Sequence, residues 1–81
     1  MREIRSAHFK RSYKKLSKEI RVAFVKQMRF LLSDMRHPSL RAKKYDETHD
    51  IWQARVTSNV RFYFTIEDDT YYLIEIEKHT D

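Results

Sequence analysis

The sequence predicts an α+β fold: an N-terminal strand, two helices, then an antiparallel meander, with the helices packed on one face of the sheet. Three observations predict it. Apolar residues recur at helical spacing from Phe9 to Met35. From Ile51 onward the apolar period becomes two. The only proline, Pro38, divides the two regimes. Strands on one side of a run of helices are the mark of an α+β architecture. The 81 residues contain no linker, repeat or low-complexity stretch, so residues 1–81 read as one domain.

Each element has its own justification. "REIRSAHF" is short and mixed and reads as the first strand. "FKRSYKKL" places Phe9, Tyr13 and Leu16 at helical spacing with cations between them. Ser17 can cap a second helix, with Glu19 favourably set in its first turn. That helix runs through "KEIRVAFVKQMRFLLSDM", and Ile20, Phe24, Met28, Leu31 and Met35 make one apolar stripe that reads as core. "RHPS" ends it, because Pro38 pushes His37 out of helical geometry. "LRAKKYDETHD" is polar and pairs loosely as a strand. "IWQARV", "VRFYFTI" and "TYYLIEIEKH" then alternate, with turns at "TSN" and "EDD".

A sheet covered on one side needs every strand to agree on its apolar face. Trp52, Ala54 and Val56 form one apolar set. Val60, Phe62, Phe64 and Ile66 form a second, and Tyr72, Ile74 and Ile76 a third. Strict alternation then fixes the open face. It carries Ile51, Gln53 and Arg55, then Arg61 and Tyr63, then Leu73, Glu75, Glu77 and His79. A tight hairpin at Ser58 sets Arg55 opposite Arg61. The next hairpin sets Arg61 opposite Glu75, or opposite Glu77 if the register moves by one pair. Facing arginines are unfavourable unless an anion or the glutamates lie between them. Arg61 paired with a cross-strand glutamate is also ordinary surface chemistry, worth only a few tenths of a kcal/mol.

Composition narrows the function classes. There is no cysteine, which excludes disulfides and thiolate metal sites and fits a reducing cytoplasm. There is no glycine, which removes the dinucleotide fingerprint and the phosphate-binding P-loop. His8, His37, His49 and His79 share no ligand spacing, so neither a metal nor a cofactor is expected. No apolar run approaches the roughly 20 residues of a membrane span. The formal net charge is +5, unevenly placed: residues 1–44 hold 14 Lys/Arg against three acids. That half points to a polyanionic partner, nucleic acid or acidic protein.

From "YKKLSKEI" through "HPSLRAKKY" to "IWQARVTSNVRFYFTIEDDTYYLIEIEKH", nearly the whole chain resembles the RelE/ParE superfamily of bacterial toxin–antitoxin toxins. The likeness is closest to the RelE- and YoeB-like mRNA interferase branch. There a tryptophan strand precedes an arginine strand, and the last strand ends near a histidine. Trp52, Arg55, Arg61 and His79 stand at those positions without gaps. The resemblance implies the RelE-like microbial ribonuclease fold. It also implies a cytoplasmic, metal-independent endoribonuclease that cuts mRNA on the ribosome, and an acidic cognate antitoxin.

On that resemblance Arg61 holds phosphate, Arg55 assists and His79 protonates the leaving 5′-oxygen. Glu75 or Glu77 orients Arg61 or His79. Tyr63 stacks on a base or donates to phosphate. Lys10, Arg11, Lys14 and Lys15 contact RNA or ribosomal RNA phosphates. The YoeB-like branch keeps a glutamate base where this chain has Ala42. Lys43, Lys44 or, with a shifted loop, Glu47 or His49 are the substitutes. Two other classes share the fold: a ParE-like gyrase poison and a catalytically silent antitoxin-binding module.

Overall fold

A computed structural model describes residues 1–79. The chain runs β1 (Arg2–Arg5), α1 (Ala7–Lys14), α2 (Lys18–Ser33), a 3₁₀ turn (Pro38–Leu40), β2 (Lys43–Asp46), β3 (Ile51–Thr57), β4 (Val60–Glu67) and β5 (Thr70–Lys78). The five strands form one mixed sheet in the order β1-β5-β4-β3-β2. The meander β2 to β5 is antiparallel, and β1 joins it in parallel along β5. A parallel neighbour needs a long crossover, and α1 and α2 lie within it.

Serines start both helices. Ser17 Oγ accepts from Ile20 N at 3.3 Å, as its sequence position predicts. Ser6 Oγ accepts from Phe9 N at 2.9 Å and donates to the Ile74 carbonyl at 3.0 Å, tying the start of α1 to β5. α2 stops at Ser33, earlier than the apolar stripe implies, and Met35 lies beyond it. Asp34 is extended, and its carboxylate accepts from Arg36 N at 2.9 Å. That local bond competes with another helical turn.

The core lies between the helices and one sheet face. Phe9, Phe24, Phe62 and Phe64 are fully buried and meet in succession, tilted or edge-to-face, at 5.4–5.7 Å between ring centroids. Arg5 covers this cluster, its guanidinium 5.2 Å from the Tyr13 and Phe24 rings and its Nε 2.7 Å from Glu3. One polar side chain enters the core. Gln27 Nε2 donates to the carbonyls of Ser39 (3.1 Å) and Arg55 (2.8 Å), while Ser39 Oγ donates to Gln27 Oε1 (3.1 Å). α2, the 3₁₀ turn and β3 are thereby joined at one residue.

Strict alternation fails in β5. Tyr63 pairs with Glu75, but Phe64 pairs with Leu73, so Ile74 is an extra residue. Such a bulge sets two residues against one and shifts the facing of everything beyond it. Tyr71 and Leu73 therefore point into the core, at 4% and 1% exposure, in place of Tyr72 and Ile74. Ile66, near the end of β4, is exposed and is not core. β3 carries a second irregularity between Arg55 and Thr57, where it meets the short turn at Ser58 and Asn59.

The bulge yields a direct test. Leu73→Ala is expected to cost about 2–5 kcal/mol, as for other buried leucines. Ile74→Ala should cost clearly less, since Ile74 is only half-buried. Urea denaturation of the two variants measures the difference. A larger loss at Ile74 would show that β5 alternates without a bulge.

A candidate nucleic-acid cleft on the open sheet face

The meander places the polar face as the hairpin geometry requires. Arg55 lies opposite Arg61, and Arg61 lies opposite Glu77, the second of the two registers open from the sequence. The end of β5 is fastened, since His79 N donates to the Asn59 carbonyl at 2.6 Å. The His79 backbone is thereby held beside the β3–β4 turn, which Arg61 follows on β4.

A cleft of about 400 Å³ is lined by Lys43, Lys44, Tyr45, Gln53, Arg61 and His79. Strands β2, β3, β4 and the end of β5 each contribute to it. A second cleft, of about 250 Å³, shares Lys43, Gln53 and Arg61 and adds Arg41 and Arg55. The two form one cationic groove with no carboxylate among its lining residues. Arg41 also borders a third hollow, with Met35, Arg36, His37, Pro38 and Trp52.

The arginines are held differently. Arg61 Nη1 donates to the carbonyls of Thr57 (2.9 Å), Ser58 (3.1 Å) and Val60 (3.3 Å). One side of the guanidinium thus locks the turn. Arg55 Nε is buried with no hydrogen-bond partner among the described residues. Burial, and then the charges of Arg41 and Arg61, push the Arg55 guanidinium pKa down. A guanidinium stays charged regardless. The groove therefore holds unrelieved positive potential that a bound anion would offset. Arg41 reaches it from a left-handed backbone (φ 47°) that closes the 3₁₀ turn.

Several of the side chains expected at the site have other partners in the structure. Neither Glu75 nor Glu77 pairs with Arg61 or His79 among the described residues. Glu77 Oε1 accepts from the Tyr63 hydroxyl at 3.2 Å. Glu75 accepts from its neighbour Ile76 N at 2.8 Å and pairs with His8 of α1. Tyr63 is 6% exposed and also accepts from Gln53 Nε2, so its ring has no free face for a base. Burial, and next to it the Glu77 carboxylate, push the Tyr63 pKa up, against the opposing Gln53 bond.

The substitute bases separate likewise. Lys44 donates to Asp50 at 2.9 Å and lies 4.9 Å from the Trp52 ring. The Asp50 bond pushes its pKa up, which suits a cation and not a base. Glu47 and His49 belong to the β2–β3 turn and line no part of the groove; His49 instead pairs with Asp46 at 2.9 Å. Lys43 borders both halves of the groove. Lys10, Arg11, Lys14 and Lys15 are exposed on or just after α1 and also line no part of it.

Sequence reasoning missed Arg41 and Tyr45. For Arg41 there is no periodic signal, because its direction comes from the left-handed cap. Tyr45 stands at an irregularity of β2, between Lys44 opposite Trp52 and Asp46 opposite Ile51, so alternation alone does not fix its direction.

No protein-family model matches the chain, and no curated protein does. Solved structures do match. A YoeB from Staphylococcus aureus, solved as a dimer, superposes with TM-score 0.82 at 12% identity, covering 99% of this chain and 98% of that one. A YoeB/ParE toxin from Agrobacterium tumefaciens gives 0.81 at 12%, covering 99% and 100%. The RelE–RelB complex from the archaeon Pyrococcus horikoshii gives 0.79 at 15%, covering 95% and 92%. This chain has the RelE/YoeB toxin fold. The five-stranded sheet and the two helices match that fold over almost the full length of both chains. No helix of the RelE/YoeB-type fold described here is long and apolar enough to cross a membrane.

The Glu75–His8 contact is testable by pH. Burial acts to raise the Glu75 pKa, but the hydrogen bonds from Ser12 and His8 outweigh it, and the net shift is downward. A carboxyl held below its ordinary value stabilises the fold above the unfolded pKa. That contribution is lost as pH falls through the folded pKa. Urea midpoints should therefore hold above the ordinary carboxyl value of 4.5 and fall as the pH drops below it, and Glu75→Gln should flatten part of that fall. An identical acid profile in the variant would remove Glu75 from the linkage.

Proposed function

We propose that this chain is the toxin of a toxin–antitoxin pair and a metal-independent endoribonuclease that cleaves mRNA on the ribosome. The observation that carries the reading is one groove lined by both Arg61 and His79, with Lys43 and Lys44 on its wall. These are the residue types that metal-free RNA cleavage needs. The 2′-oxygen attacks the adjacent phosphorus, and the 5′-oxygen leaves with a proton. The products are a 2′,3′-cyclic phosphate and a free 5′-hydroxyl. Arg61 and Arg55 stabilise the charge that develops on the phosphoryl oxygens. Lys44, kept protonated by Asp50, adds to that charge. His79 is the general acid for the 5′-oxygen. Lys43 is the group placed to receive the 2′-hydroxyl proton.

The partner in this reading is an acidic antitoxin. Its support is α2, where Val22 and Val25 are exposed amid Lys18, Arg21, Lys26 and Arg29. An apolar ridge flanked by cations fits an acidic amphipathic segment. A solved structure of this fold at 15% identity is itself a toxin–antitoxin complex, which supports such a partner. Pull-down from the native host should recover a small acidic protein. Val22→Glu together with Val25→Glu should abolish its capture while leaving cleavage intact. Capture unchanged by those substitutions would place the partner elsewhere.

Message mapping after induction tests the activity. Cuts inside translated codons are expected, ending in 2′,3′-cyclic phosphate. His79→Gln should lower cleavage by about 10²-fold, the usual worth of a positioned general acid. Arg61→Ala should lose a comparable or larger factor through lost charge stabilisation. Circular dichroism of Arg61→Lys, which keeps a charge near the turn, separates catalysis from folding. Cleavage by His79→Gln at the parent rate would sink the assignment, and so would an uncut message pool.

A further inference from the structure

Beside the cationic groove lies a separate hollow of about 200 Å³, lined by Tyr45, Ile51, Tyr63, Ile74, Glu75 and Glu77. Tyr45 lines both spaces, so they meet at its ring. Its surroundings explain little by themselves. Tyr45 is 60% exposed, yet it is not loose. Its ring stands edge-on to Tyr63 at 4.9 Å and 62°. Tyr63 is in turn fixed by Gln53 and Glu77. An aromatic ring braced along one edge and bare elsewhere is a stacking platform. The half-buried Ile51 and Ile74 give the hollow an apolar floor. Ile74 borders it because of the β5 bulge.

The carboxylates are the unexpected part. A glutamate next to a phosphate groove repels the nucleic-acid backbone. A carboxylate in that place turns away some partners and accepts from others, which is how a site discriminates. Glu75 is already engaged by His8 and Ile76 N. Glu77 is exposed and makes one bond, from the Tyr63 hydroxyl to Oε1, which orients the carboxylate. An ionised carboxylate only accepts, and it has room for about four donors. On β4, Tyr63 is two residues from Arg61, roughly 7 Å along the strand. That separation suits the base and phosphate of one nucleotide.

We propose that this hollow is a nucleobase subsite selective for guanine, stacking the base on Tyr45 and accepting its N1–H and N2–H on Glu77. The proposal rests on the RNA-cleaving reading of the neighbouring groove. The base ranking follows from donor count. Guanine presents two adjacent N–H donors on its Watson–Crick edge, matching two carboxylate oxygens. Adenine and cytosine each present one amino group beside a ring-nitrogen acceptor that the carboxylate repels. Uracil flanks its single N–H with two carbonyls and is the worst fit.

The test uses the full chain and four 2′-O-methylated trinucleotides, A-N-A, with N as G, A, C or U. The methyl groups block 2′-hydroxyl attack, so binding is read without cleavage. Binding is followed by tyrosine and tryptophan fluorescence and by NMR shifts. The G trinucleotide should bind at least about tenfold more tightly than the U trinucleotide, the scale of one bidentate base contact. Glu77→Gln, which still accepts from Tyr63, should bring the four within about twofold of one another. Tyr45→Ala should weaken all four by about tenfold through lost stacking. Equal affinities in the parent, guanine preference surviving Glu77→Gln, or no binding up to millimolar concentration would each overturn the proposal. The two readings fail separately. Message cleavage without base selectivity sinks only the subsite. Guanine selectivity without cleavage sinks only the nuclease.

Discussion

One extra residue in β5 reconciles two demands that a regular strand cannot meet together. The strand must send large apolar side chains into the core at Tyr71, Leu73 and Ile76. It must also present Glu75, Glu77 and finally His79 on the opposite side. Leu73 and Glu75 are two apart, so strict alternation would give them the same face. The Ile74 bulge breaks that parity between Tyr63 and Phe64 on the partner strand. The helix layer depends on it too. The Ile74 carbonyl accepts from Ser6 Oγ, and Ser6 caps α1. The irregularity that turns the polar residues outward therefore also fastens the first helix to the sheet.

The groove's cations depend on a comparable device at the other end of the meander. With no glycine in the chain, left-handed backbone falls to Arg41, Asp50 and Asp68. Aspartate tolerates that region better than most residues. Arginine does not, and the strain at Arg41 is of order 1 kcal/mol. Gln27 supplies the restraint. It bonds the 3₁₀ turn through Ser39 and the irregular part of β3 through the Arg55 carbonyl. One buried amide thus fixes the backbones that bear Arg41 and Arg55. Losing it would remove this partner from the Ser39 and Arg55 carbonyls, both in part-buried surroundings. The buried glutamine is in this sense part of the groove, although it touches no part of its surface.

Periodicity carried most of the architecture. The shift from helical spacing to alternation at Ile51, the Ser17 cap and the two short turns all follow from residue type. They place Arg55 opposite Arg61, as found. What it could not carry was parity beyond an irregularity. Nothing in "YYLIEIEK" marks Ile74 as the surplus residue, because Tyr71 to Ile74 are apolar without a break and fit the core in either parity. The facing of Tyr71 to Ile74 was therefore unreadable. The partners of Glu75 and Glu77 were unreadable for a different reason. His8 is 67 positions from Glu75 and reaches it only because α1 starts at the edge of β5. Arg41 escaped notice because its direction is set by a left-handed cap. Tyr45 has no readable facing either, because the β2–β3 register shifts at that residue.

The charge distribution connects these local devices to the proposed activity. Four basic side chains, Arg41, Lys43, Arg55 and Arg61, border one small space, and the buried Arg55 Nε lacks a partner among the described residues. Like charges at such separations raise the free energy of the isolated fold, and salt relieves buried charge less than exposed charge. An anion at that point is thus bound partly by relief of repulsion already present. The nearby carboxylates do not offset this, since Glu77 is turned to Tyr63 and Glu75 to His8. A polynucleotide phosphate and a carboxylate of an acidic protein would be held by the same unrelieved charge. Under the proposed function this charge holds the substrate phosphate, and an antitoxin seated on the α2 ridge would have to extend a further acidic segment to the open face to compete for it.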